Sequence, residues 1–168
     1  MRVKIFTDAD RFYEIAWPLL TQQEAENNLL LGVLSDIKRG VYKNPLMAAA
    51  FVGDTAVMVA IRTPPRHLLL STTDHPKALD SLMGVIYAAM TVQHIAGDIP
   101  GVIAPVELAG RAAEFWTERS GEAQSVGMEM RIYKADTITP PANVPGTARL
   151  ATQDDRDLLR LWVRGFER

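Results

Sequence analysis

Apolar residues change period several times along this chain, and each change marks an element. Leu46–Val52 and Thr55–Arg62 are nearly continuous apolar runs broken only by Gly53-Asp54, which predicts two strands joined by a tight hairpin. Thr63-Pro64-Pro65-Arg66 stops the second strand, because proline has no N–H for a ladder, and residues 67–71 supply a third short strand. Residues 71–76 then read as the start of a helix, in which Leu79, Leu82, Met83, Ile86 and Tyr87 recur three and four apart and make one apolar face. A strand running into a helix N-terminus leaves free N–H groups at the junction, so an anion site is expected around Leu70, Ser71, Thr72 and Thr73.

Around this centre the pattern predicts further elements. Residues 3–6 alternate like a short strand. Thr7-Asp8-Ala9-Asp10 has capping-box spacing and starts a helix carrying Phe12, Ile15, Ala16 and Leu19, which Pro18 should kink or end. Thr21-Gln22-Gln23-Glu24 is a complete capping box for a second helix with Ala25, Leu29, Leu30, Val33, Leu34 and Ile37 on its apolar face. Lys38-Arg39-Gly40 closes it. Residues 101–105 read as a short buried strand, residues 106–119 as a helix ended by Ser120-Gly121, and residues 128–135 as a strand with one wet face.

From Thr137 the pattern is lost. Three prolines between Thr139 and Gly146 make residues 137–148 a linker after a domain spanning residues 1–136. Beyond it Thr7, Asp10, Arg11 and Trp17 recur as Thr152, Asp155, Arg156 and Trp162 at one offset, with Leu150 in the place of Ile5. Residues 149–168 therefore read as the first strand and helix of a truncated second repeat. So short a segment cannot bury Leu150, Leu158, Leu159, Leu161 and Trp162 by itself. They are expected to pack on the first domain, on an identical chain or on a missing second half.

Composition narrows the function classes. The 168 residues are 48% hydrophobic and 23% charged with a net charge of −2, an ordinary globular balance without the basic cluster that nucleic acid or an anionic membrane would need. No cysteine is present, which excludes disulfides, thiolate metal sites and a cysteine nucleophile. The N-terminus turns polar too soon for a signal peptide, and no apolar run is long enough to span a bilayer, so no membrane association and a cytoplasmic location are expected. His67 and His94 stand alone, so no metal site is expected.

The order strand, two helices, antiparallel strands, helix, strand, helix, strand, together with residues 110–121 (Gly-Arg-Ala-Ala-Glu-Phe-Trp-Thr-Glu-Arg-Ser-Gly), resembles the GNAT acetyltransferase superfamily over residues 1–136. The proline-rich linker followed by a restarting strand and helix resembles the N-terminal half of a tandem-GNAT protein. The resemblance implies an α/β (α+β) fold with a mixed, mostly antiparallel central sheet flanked by helices. It also implies acetyl-CoA as co-substrate and a small-molecule amine or a protein N-terminus as acceptor. Leu70, Ser71, Thr72 and Thr73 would then hold the acyl-CoA, Glu24, Glu26 and Asn27 would approach the amine, and Glu107 would act as general base.

Three positions depart from the family pattern. Residues 71–80 contain no glycine where a pyrophosphate loop should follow the strand, and Asp74 and Asp80 would repel phosphate. Thr117 stands where the family has an acidic tyrosine, and Gly110 where it has asparagine. Simpler roles also compete: Glu24 as a capping-box carboxylate, Glu107 as an anion on the first turn of its helix, and the Asp74-His75 segment as a helix cap. Two readings stand, an N-acetyltransferase-like protein whose first half is degenerate and a non-catalytic interaction or dimerisation domain of the same fold.

Overall fold

The computed structural model describes residues 1–92 and 99–166, so His94 and the last two residues of the segment 149–168 lie outside the described residues. Two compact units emerge, Met1–Lys134 and Ala135–Arg168.

In the first unit, strands β1 (Arg2–Phe6), β2 (Leu46–Val52), β3 (Thr55–Arg62), β4 (Leu68–Leu70) and β5 (Val102–Ile103) form one sheet in sequence order. The first four are antiparallel and β5 is parallel to β4. Helices α1 (Ala9–Leu20), α2 (Asn28–Lys38), α3 (Ala78–Val92) and α4 (Val106–Ser120) complete a mixed α+β architecture with a mostly antiparallel sheet.

Alternate residues of the same strands feed two cores. Met47, Ala49, Phe51, Val59, Ile61 and Leu69 join the cluster with Phe12 and Leu20 of α1 and Leu34 of α2. Ala48, Ala50, Met58, Ala60, Leu68 and Leu70 join the cluster with Leu79, Leu82, Met83 and Ile86 of α3 and Ala112 of α4. Burial on both faces explains why these strands read as continuous apolar runs rather than alternating ones. The hairpin turn falls at Gly53-Asp54, with Gly53 at φ +59, and Arg2 donates to Asp54 Oδ1 at 3.0 Å across it.

Several local expectations are corrected. Asp8, not Thr7, caps α1, accepting from Arg11 N at 3.1 Å, and the helix runs two residues past Pro18. The capping box at Thr21–Gln23 and Glu24 does not form, because the chain continues from α1 into a 3-10 turn and Thr21 keeps helical backbone angles. Its hydroxyl donates back to Trp17 O at 2.9 Å. The second helix accordingly starts at Asn28, and its buried face carries Leu30, Leu31, Val33, Leu34 and Ile37 while Leu29 is exposed. At its end Gly40 (φ +75) donates to Ile37 O at 2.9 Å and Val41 N donates to Asp36 O at 3.0 Å, a complete Schellman motif.

Residues 128–135 form no strand in this chain. Their alternation is real, but a strand exists only through ladder bonds to a neighbour, and none of these residues pairs with the sheet. In the second unit, Thr152 caps a 3-10 turn, Gln153–Asp155, that leads into α5 (Arg156–Phe166), while residues 149–151 make no ladder. Helix α5 buries none of its side chains.

Candidate functional site

Leu70 ends β4, and residues 71–73, with Asn27 bonded to Thr72, follow it at the end of the sheet where β4 and β5, being parallel, both finish. Glu107 lies in the helix that follows β5. Leu69 pairs with Ile103, so residues 71–73 and the start of α4 leave the sheet at the same edge. Parallel strand ends of this kind are where α/β proteins commonly place ligands.

The β4 end is closed by its own hydrogen bonds. Leu70 is buried in the core. Ser71 is fully buried: its N–H donates to Val59 O at 3.0 Å, and its hydroxyl accepts from Val59 N at 3.0 Å while donating to Thr72 O at 3.0 Å. The next amide, Thr72 N–H, donates to Asn27 Oδ1 at 3.4 Å. The Asn27 Nδ2 group donates to Leu20 O at 3.2 Å and to Thr72 Oγ1 at 3.4 Å, leaving Asn27 only 2% exposed. Thr73 Oγ1 accepts from His75 N at 3.2 Å. The amides expected to face an anion at Ser71 and Thr72 are thus engaged within the chain.

The junction is also longer than its sequence pattern suggests. The third helix begins at Ala78, after a turn in which Ala78 N donates to His75 O at 3.0 Å, so residues 71–77 separate it from the strand. Asp74 and His75 are exposed and Thr73 half-buried in this connection. No N–H fan of a helix start lies directly beyond β4.

Asn27 and Thr72, from opposite ends of the candidate set, are brought together. Glu24 is exposed on the turn before α2 and makes no bond to either. Glu107 is exposed in the first turn of α4, whose N-cap, Pro105, supplies no side-chain bond, so its carboxylate sits at the positive end of that helix. Thr117 is half-buried and its carbonyl accepts from Gly121 N at 2.9 Å, where Gly121 (φ +74) ends the helix.

The aromatic neighbourhood nearest these elements lies between α3 and α4. Tyr87 meets Trp116 edge to face at 5.1 Å, and the Tyr87 hydroxyl donates to Arg119 O at 3.1 Å. Trp116 Nε1 is buried without a partner among the described residues. Trp17 instead stacks on Tyr13 at 5.1 Å on a half-exposed face, with the Lys38 ammonium 4.1 Å from the Tyr13 ring centre.

The partnership of Asn27 was not legible in the sequence. Its signal is an amide side chain directly before the apolar run of α2, but its partners Leu20 O and Thr72 are separated from it along the chain and meet it only through folding. Two shallow surface depressions, one lined by Asp8, Asp10, Arg11 and Glu14, the other by Arg2, Phe51 and Lys77 among others, contain none of the candidate residues.

Among the described residues no group of three histidine, aspartate or glutamate side chains is arranged to hold a metal ion, and no helix is long and apolar enough to cross a membrane. No protein-family model, curated protein or solved structure matches the chain.

Proposed function

We propose that this chain is the N-terminal half of a tandem GNAT-like N-acetyltransferase, a copy of the fold that has given up its own acyl-CoA site and supports a second copy beginning near Leu150. In this reading the protein works in the cytoplasm, and the second copy transfers the acetyl group from acetyl-CoA to an amine. The observation that carries the reading is the closed β4 end. Asn27 holds the amide of Thr72, and Ser71 is bonded on both sides to Val59, so the two amides directly after β4 are engaged within the chain rather than offered to a pyrophosphate or a pantetheine amide. The parallel step from β4 to β5, with α3 between them, supports the fold side of the reading.

Calorimetric titration of the folded chain with acetyl-CoA tests it. No heat is expected at about 1 mM ligand, because the two amides that follow β4 would have to give up their bonds within the chain to meet an anion. Binding in the micromolar range that Thr72→Pro abolishes would overturn the reading and make this copy a cofactor-binding domain. In that event Glu107→Gln in an acetyl-transfer assay would decide its role: a general base is worth about 10²–10⁴-fold in rate.

A further inference from the structure

Residues 126–134 carry Val126, Met128, Met130, Ile132 and Lys134 on one parity and Gly127, Glu129, Arg131 and Tyr133 on the other. This strand-like pattern makes no ladder in the chain, and it leaves Met128 76%, Met130 59% and Ile132 55% exposed. Among the described residues Glu129 and Arg131 have no ion-pair partner. A segment of β pattern that lies outside any ladder is a template for another strand.

We propose that this segment pairs antiparallel with the same segment of a second copy of the chain, about a two-fold axis through Met130. The proposal is independent of the acetyltransferase reading. Its basis is self-complementarity, the requirement of any two-fold interface. With Met130 opposite Met130, Glu129 of each copy faces Arg131 of the other, so two cross-strand ion pairs form. Met128 faces Ile132 twice on the apolar side, and Tyr133 covers Gly127, the arrangement by which an aromatic ring compensates a glycine in a strand pair.

Charge selects this register over its neighbours. Sliding the pair by one step of two residues puts Glu129 opposite Glu129 in one direction and Arg131 opposite Arg131 in the other, and like charges directly opposed are unfavourable. A slide of one residue sets the apolar parity against the polar one and is excluded by the pleat. Of these registers only the centred one sets Glu129 against Arg131 and Met128 against Ile132, with Val126 opposite Lys134 at its margin.

Sedimentation velocity between about 5 and 500 µM reads the association, a span set by the marginal stability of a two-stranded ribbon. A concentration-dependent dimer is expected. Glu129→Arg alone and Arg131→Glu alone should each weaken it about tenfold, whereas the two single variants mixed with each other, or the double variant alone, should restore it to within about threefold. The absence of native cysteine permits a register test. Met130→Cys should oxidise to a covalent dimer, since residues on the axis lie about 4.5–5.5 Å apart at Cα, within disulfide reach. Met128→Cys should not cross-link with itself but should do so when mixed with Ile132→Cys. A monomer throughout the concentration range overturns the proposal, as does a dimer indifferent to both charge reversals or one that cross-links equally at Met128 and Met130.

Discussion

Asn27 is buried because both halves of its amide have partners, one of them the Thr72 amide that would otherwise face outward. Asn27→Ala removes a partner from the buried Leu20 O and from the half-buried Thr72 N–H, and a buried group left unsatisfied costs about 1–3 kcal/mol. The urea midpoint is expected to fall by that amount divided by the m-value, with the m-value unchanged. A different kind of constraint acts at Gly101, where an added Cβ would sit 2.7 Å from His67 Cδ2. Because His67 is exposed its ring can turn aside, so Gly101→Ala should cost only about 1 kcal/mol. The double variant His67→Ala/Gly101→Ala should recover that loss in thermal denaturation; an unchanged deficit would place the strain in the backbone at Leu68, whose N–H donates to Gly101 O.

Capping decides where the helices begin and end, and here the chain uses caps its sequence only half announces. Gly40→Ala forces a side chain into left-handed backbone and should cost about 1–2 kcal/mol at the end of α2. In the second unit, Arg149 grips both oxygens of Asp155 at 2.7 Å while Thr152 N–H donates to Asp155 Oδ2 at 2.7 Å. The Arg149 guanidinium first, and the Thr152 amide second, hold the Asp155 carboxyl well below the usual carboxylate range. Because the folded value is depressed, the capping contribution is present above the ordinary aspartate pKa of about 3.9 and is lost as pH falls through the lower folded value. The Cα chemical shifts of α5 should therefore stay constant from neutral pH to near that value and move only below it. Arg149→Ala should raise the Asp155 titration midpoint toward the ordinary value, and a midpoint that stays low would transfer the effect to Thr152.

Across the molecule the two units differ in what they bury. The sheet unit holds two apolar cores built from alternate residues of the same strands, whereas α5 buries none of its side chains. Leu34→Ala on one face and Leu82→Ala on the other should each cost about 2–5 kcal/mol in a single cooperative transition, since both cores share β2 and β3. Amides of β2 and β3 should exchange only by global unfolding, while those of α5 open at a small fraction of that free energy. Equal protection in both units would show that α5 is covered in solution by a partner, its own domain included.

Much of the first unit was legible in order and type. The hairpin at Gly53-Asp54, the proline stop after β3, the apolar face of α3 and the glycine ends of α2 and α4 follow from periodicity and turn chemistry, which act over a few residues. What depended on distant partners was not. The Thr21 capping box fails because the helix before it runs on into a turn, and Asn27, expected to approach an amine, instead bonds Leu20 O and Thr72, which approach it only once the sheet and helices assemble. The candidate anion junction reads in sequence as a strand meeting a helix, yet residues 71–77 separate the two, and the Ser71, Thr72 and His75 amides donate within the chain. Residues 128–135 show the same division most plainly: alternation along the chain sets which side chains share a face, while the ladder that makes a strand of them has to come from a neighbouring strand, and only tertiary or quaternary structure supplies one.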